Sequence, residues 1–365
     1  MESYVGLDVH SKSSVFVVQT AEGRVYARGE VATTPEGLAR LRSEYGLAPG
    51  TPIALETGTI AFYVARQLQV LALKPVVIDA REVRLKAHRP MQKSDRRDAF
   101  ELCDGLRRDI YRVIVHVPPL ATSELRETLS RRRHFVRLQT SQACAVKRLL
   151  RGAGLARLSR TLASDAAWTK LFAALPADPL LRSYLEDHHT VWRCARAQVV
   201  RLERVLTEQQ KPLRAELGRL QTVPGVGPIV ALTTVAAFAD VHRFPSAKHA
   251  ASYAGLVPST HQSGDCDRHG PITKRGSTEL RAMLCEAAHQ ARRPTHPLHP
   301  YFTTLCVRRG YQRAITALAH RLCRILFAML RDGADFDVRK LGIEEGPFRR
   351  TVTRRYRLKR FAHAL

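Results

Sequence analysis

The sequence predicts an α/β domain first and an all-α remainder after it, and three observations carry that reading. Short β-branched runs alternate with turn and helix patterns through about the first hundred residues. Apolar residues then recur at close to heptad spacing on two long stretches. Beyond about residue 220, alanine-rich helical patterns take over.

Residues 4–9, 14–20 and 24–31 read as three consecutive strands, and the Ala21-Glu22-Gly23 turn makes them a meander. Residues 34–45 read as a helix with Thr34 as N-cap ahead of Leu38 and Leu41. A fourth strand over 52–56, a helix over 60–71 and a fifth strand over 74–79 follow, and a helix begins near Asp95. This is the order expected of a ribonuclease-H-like α/β layer, an order whose opening several α/β folds share. Val117-Pro118-Pro119 closes the domain.

From 122 to about 150, Leu125, Leu129, Val136, Ala143, Val146 and Leu150 trace a heptad-like seam, and Trp192, Val199, Leu202 and Leu206 repeat it on a second helix. An antiparallel coiled-coil arm used for dimerisation and a plain helical bundle both explain these residues. Lys211-Pro212 ends the second helix. Val223-Pro224-Gly225-Val226-Gly227-Pro228 follows, then helices, a polar loop over 258–271 and further helix to about Arg331. The expected domains are 1–117, 118–217, 218–340 and a basic tail over 341–365.

Fifty-nine Lys plus Arg against 33 Asp plus Glu leave a formal charge of +26. Such an excess repels itself unless a polyanion neutralises it, and nucleic acid is the leading polyanion because each phosphate contact also releases counterions. The tail residues Arg349, Arg350, Arg354 and Arg355 read as a phosphate-contacting arm. The apolar runs are too short for a membrane span, and the N-terminus lacks a signal peptide's pattern, which suits a cytoplasmic, nucleoid-associated protein. Seven cysteines without a Cys-x-x-Cys pair indicate neither a disulfide framework nor a zinc module. Asp187-His188-His189 and Thr295-His296-Pro297-Leu298-His299 read as loops, at the surface or near phosphate, rather than as metal ligands.

Asp8 lies inside the otherwise apolar strand Val5-Gly6-Leu7-Asp8-Val9, where a lone carboxylate is costly unless a cation or donors compensate it. Glu56 ends the fourth strand. Asp95 and Asp98 stand three residues apart on one helix face. With strands one and four adjacent and the helix over their ends, the four acids would meet around Mg²⁺, which prefers all-oxygen ligation. Each acid has a plainer explanation, an N-cap for Asp95 and ion pairing or solvent for Asp98, and Asp8 is the hardest to explain away. Gly6-Leu7-Asp8-Val9-His10-Ser11 also has the outline of a sugar-kinase phosphate loop. His10 stands where that loop has glycine, and a second Asp-x-Gly loop is missing.

Asp8, Glu56 and the Lys93-to-Ala99 segment together resemble the DEDD domain of the IS110-type insertion-sequence transposases, a domain similar to RuvC resolvases. The downstream motifs follow that family's order. The 223–228 motif is similar to its helix-hairpin-helix opening, and Ala254-Gly255-Leu256-Val257-Pro258, Gln262-Ser263-Gly264, Ile272-Thr273-Lys274-Arg275-Gly276 and Leu280-Arg281 come after it. Gly225 and Gly227 permit a turn whose amides can bind phosphate without reading sequence. By composition Ser263 is a turn residue, with Ser259 and Ser277 nearby. The resemblance implies that Ser263 is the recombination nucleophile, flanked by Arg268, Lys274 and Arg275, and that the acids of one protomer join the serine of another. It also implies a bridge RNA as guide and donor and target DNA as substrates, and the heptad-like arm points to a homodimer or tetramer. Asp265, Cys266 and Asp267 depart from the small and basic residues expected there. A metal-dependent nuclease using water, and a non-catalytic nucleic-acid binder, are the alternatives.

Overall fold

The computed structural model describes residues 2–86, 94–263 and 266–341, and the side chains of 261–269 lie outside that description. The chain divides into two units, Met1–Pro119 and Leu120–Leu365. Arg349, Arg350, Arg354, Arg355 and the side chain of Arg268 fall outside the described residues.

The first unit is a mixed α/β layer. Strands β1 (Ser3–Val9), β2 (Ser13–Thr20) and β3 (Val25–Ala32) form an antiparallel meander. Strand β4 (Pro52–Glu56) pairs parallel with β1, and β5 (Lys74–Ile78) pairs parallel with β4. The resulting order, β3-β2-β1-β4-β5, is that of a ribonuclease-H-like sheet. Helices α1 (Pro35–Glu44), α2 (Ala61–Val70), α3 (Ala80–Lys86) and α4 (Asp95–Arg107) complete the unit. Thr34 caps α1, its hydroxyl accepting from the Gly37 amide at 3.2 Å. Val5 and Leu7 of β1 enter the core that also holds Leu38 and Leu41 of α1 and Val64 and Leu68 of α2. Period two turns Gly6 to the opposite face, under α4. Helix α3 has no apolar periodicity to announce it. Its buried Glu82 carboxylate accepts from the amides of Arg112 and Val113, a partner far along the chain.

The second unit opens with a pair of long helices, α5 (Leu120–Gly152) and α7 (Pro179–Gln209), joined through the short α6 (Asp165–Ala173). They are antiparallel. Arg132 pairs with Glu203 at 2.7 Å, and Gln142 meets His188 at 2.6 Å, so numbers rise on one helix as they fall on the other. Val146 and Leu150 pack with Leu181, Leu185 and Trp192, and Trp168 of α6 closes that end. Asp187, His188 and His189 therefore lie on a helix and not in a loop, which corrects the sequence reading. His189 stacks on Trp168 with ring centroids 4.7 Å apart. Aromatic burial overrode the polar look of that tripeptide.

Helices α8 (Arg214–Leu220) and α9 (Pro228–Phe238) flank the 221–227 turn. They lead to α10 (Ala247–Tyr253), a hairpin of β6 (Pro258–Ser263) and β7 (Cys266–Ile272), then α11 (Thr278–Ala291), α12 (His299–Arg309) and α13 (Tyr311–Asp332). Helix α9 is buried from Ala231 to Phe238 and sits in one core with the apolar face of α13. Its last carbonyls are not left unpaired. Arg126 donates to Ala236 O and Ala237 O at 2.7 and 3.0 Å, and Arg243 donates to Phe238 O at 3.1 Å. Two cations at a helix C-terminus also complement its dipole.

Two further corrections fall here. The polar stretch over 258–271 is a β-hairpin, not a loop, pairing Pro258 with Ile272 and Ser263 with Cys266. Backbone pairing rather than apolar alternation makes it. His296 is 4% exposed rather than on the surface. Its Nδ1 accepts from the Leu298 amide at 3.0 Å, so Nε2 carries the proton and donates to Pro224 O at 2.9 Å. Burial holds this ring below its ordinary pKa and keeps it neutral. Among the described residues no helix is long and apolar enough to cross a membrane.

Candidate metal centre and the hairpin serine

Helix α4 runs antiparallel to β1 and lies directly on it. Cys103 Sγ lies 3.2 Å from Tyr4 O, and a Cβ on Gly6 would overlap Ala99 O and the Cys103 amide. Only glycine allows this approach. Two strand residues advance about 6.6 Å, and four helix residues about 6 Å, so the two elements stay in step. Tyr4 meets Cys103, Gly6 meets Ala99, and the next pair along brings Asp8 to Asp95. His10, two residues beyond Asp8, joins them. Its Nε2 lies 3.3 Å from Asp8 Oδ2 and 3.4 Å from Asp95 Oδ2.

One ligand atom each from Asp8, His10 and Asp95 lies within 4.8 Å of the others. Ligands around a single ion at roughly 2.1 Å stand up to about 4.2 Å apart, so small side-chain movements would close the set on a cation. The Asp8 side chain is 15% exposed, His10 46% and Asp95 58%, a gradient from the sheet outward that leaves one side open. Two carboxylates and an imidazole fit a divalent ion with mixed oxygen and nitrogen ligation. Sequence reasoning placed His10 only as a misfit in a phosphate loop. The signal that could have found it is period two: Gly6, Asp8 and His10 share one face.

Glu56 ends β4, and the register Val5–Ile53, Gly6–Ala54, Leu7–Leu55 carries it to a place beside Asp8 one strand over, about 4.8 Å away. Ala54 packs with Leu102 of α4, so Glu56, two residues on, shares the α4 face. Asp98 follows Asp95 in the first turn of α4. Neither belongs to the three-residue cluster found among the described residues.

Ser263 occupies the last paired position of β6, opposite Cys266. The two neighbouring serines have structural partners. Ser259 donates its hydroxyl to Pro271 O at 3.2 Å, and Ser277 caps α11 by accepting from the Leu280 amide at 3.2 Å. Lys274 and Arg275 lie between β7 and α11 in a tight crossing. Gly255 and Gly276 have positive φ, and a Cβ on either would strike the Arg275 or the Tyr253 carbonyl. In the 221–227 turn Gly225 has φ +79° and faces Gln290, while Gly227 starts α9 with no side-chain cap on its amides.

A ribonuclease-H-like sheet ahead of a helical domain is an architecture that suits a DNA transposase or recombinase. Comparison with protein families agrees at both ends. Residues 5–154 match a DEDD transposase model, and residues 217–302 match the model described as "Transposase IS116/IS110/IS902 family". The chain belongs to the IS110-type insertion-sequence transposases. It is similar to the "Probable family 20 transposase" of Pseudomonas aeruginosa, 29% identical over 80% of this chain and 87% of that one. It is also similar to the transposase for insertion sequence element IS1111A of Coxiella burnetii, 25% identical over 67% of this chain and 69% of that one. A pilin gene-inverting protein of Moraxella bovis is 30% identical over 44% of this chain and 50% of its own.

Proposed function

We propose that this transposase cuts and rejoins DNA through a covalent link between Ser263 and a backbone phosphate, with Asp8, Glu56, Asp95 and Asp98 holding Mg²⁺ at the site of reaction. The meeting of Asp8, His10 and Asp95 at the end of β1, with Glu56 on the adjacent strand, carries the reading. A bound divalent ion would stabilise charge on the phosphate and the leaving oxygen.

The residues of the chain do the rest. The Ser263 Oγ–P bond forms as the bond from phosphorus to a sugar oxygen breaks; the serine loses its proton and the sugar oxygen gains one. The free sugar hydroxyl of a second strand then attacks the phosphoserine, restoring the serine and joining the new strand. No external energy is needed, because one ester bond is exchanged for another. Lys274, Arg275 and Arg268 neutralise phosphate charge during transfer. Gly225 and Gly227 present backbone amides to phosphate in a helix-hairpin-helix manner, and the arginines at 349, 350, 354 and 355 add non-specific affinity.

Asp8 and Ser263 lie in different units of the chain. The serine of one protomer completes the acid site of another in a dimer or tetramer built through a coiled-coil arm. A bridge RNA selects donor and target DNA by base pairing, which leaves side chains the sequence-independent contacts that a +26 charge suits.

The test is a cleavage reaction on nicked donor DNA with any co-purifying RNA retained. Wild-type protein should leave a protein–DNA adduct that survives denaturation; Ser263→Ala should abolish it. Asp8→Asn should abolish metal-dependent cleavage and leave nucleic-acid binding largely intact. An adduct that persists in Ser263→Ala and vanishes in Ser259→Ala would overturn the assignment.

A further inference from the structure

An open groove of about 720 Å³ runs between the base of the β6–β7 hairpin and α13. Leu256, Pro258, Pro271 and Ile272 supply apolar surface on the hairpin side. Arg309, Gln312, Arg313, Thr316 and His320 line the helical side. Arg313, Thr316 and His320 recur at helical spacing on α13, so one stripe of that helix faces the groove, and Arg309 joins it from the end of α12.

Its charge is one-sided. Among the described residues no carboxylate lines it. The chain contains no Asp or Glu between Glu286 and Asp332, so this whole helical layer is short of local counter-charge. The smaller cavity at the other end of α13, about 530 Å³, differs, since Asp332, Asp335 and Asp337 line it beside its arginines. Two exposed guanidinia in a groove whose described lining holds no acid match a run of phosphates, and the apolar side matches sugar and base faces. The described lining includes no aromatic side chain to stack a base, so recognition would follow the backbone rather than the sequence.

The groove lies on the route to the serine. The hairpin pairs Pro258 with Ile272 at the groove and Ser263 with Cys266 five residues further on, about 17 Å along the strand. We propose that this groove holds an unpaired DNA strand and leads its scissile phosphate along the hairpin to Ser263, with Arg309 and Arg313 as positioning residues. The inference rests on the reading of Ser263 as the group that bonds DNA.

Binding tests it without any cleavage step. The full chain is titrated with a fluorescein-labelled dT12 strand, with the matching rU12 strand and with a 12-base-pair duplex, over a series of salt concentrations. The Arg309→Ala/Arg313→Ala double variant should bind dT12 at least tenfold more weakly. Its log Kd against log salt slope should be shallower by about 1.4, from two single-strand contacts at about 0.7 each. The duplex should change less. Ser263→Ala should bind dT12 as the wild type does, so a failed adduct assay leaves this measurement standing, and the reverse holds too. Unchanged dT12 affinity and slope in the double variant overturn the proposal. A loss confined to rU12 overturns the assignment to DNA, and a loss confined to the duplex overturns the assignment to an unpaired strand. Circular dichroism melting, expected to be unchanged because both arginines are exposed, excludes unfolding as the cause.

Discussion

His10 shows what a single residue contributes beyond the acids. Its Nε2 stands 3.3 and 3.4 Å from two carboxylate oxygens, a place where an imidazole serves as a ligand or holds both acids in position. Imidazole nitrogen favours manganese and later transition metals over magnesium, which prefers oxygen throughout. His10→Ala is therefore expected to weaken Mn²⁺ binding by roughly 10–100-fold and Mg²⁺ binding by much less. Titration followed by the electron paramagnetic resonance of free Mn²⁺ checks this without any DNA. Equal Mn²⁺ affinity in the variant would remove His10 from the centre. Asp8 was legible because a carboxylate inside an apolar strand is costly. His10 was not, because a histidine just past a strand looks like any surface residue until the partner helix is in place.

At the scale of elements, the centre depends on how closely α4 lies on β1. Gly6 has no side chain, and any Cβ there would meet the backbone of α4, with Cys103 Cβ only 2.9 Å away. Gly6→Ala should push the helix off the strand. The expected cost is about 1–3 kcal/mol of stability, the range for overpacking a tight contact, and a clear loss of metal affinity as Asp95 moves from Asp8. Urea denaturation and the same Mn²⁺ titration measure the two effects. Loss of stability with metal affinity retained would mean that the sheet, not the helix, holds the site. The sheet elements were readable from β-branched runs and turns, since local pattern and burial agree there. The hairpin over Pro258–Ile272 was not, because its strands are polar and their pairing is made by backbone groups. The helical place of His188 and His189 was hidden for the converse reason: a polar tripeptide is carried by the aromatic packing around it.

For the molecule as a whole, three histidines record how burial couples folding to pH. Burial lowers the pKa of His189, His296 and His320, and the nearby cations Arg193 and Arg324 push His189 and His320 further the same way. Each ring therefore binds fewer protons folded than unfolded. Stability rises with pH across that window and is lost as pH falls through the unfolded value near 6.5. The melting temperature should drop between about pH 7.5 and about pH 5.5. His296→Gln keeps an amide donor for Pro224 O but cannot titrate, so its melting temperature should depend less steeply on pH. An identical slope would show that His296 is not protonated on unfolding in this range.

What the sequence determined by itself was local. Strand and helix order in the first unit, the N-cap at Thr34, the long helices and the excess of positive charge all follow from periodicity, turn chemistry and composition, which act over a few residues. Tertiary structure decided which side chains meet. Asp8, His10 and Asp95 come together because one glycine lets a helix settle on a strand and because the rise of two strand residues nearly equals that of four helix residues. The same is true of the groove beside the hairpin, which joins positions about fifty residues apart. Such meetings depend on packing distances between elements, and no window of neighbouring residues contains them.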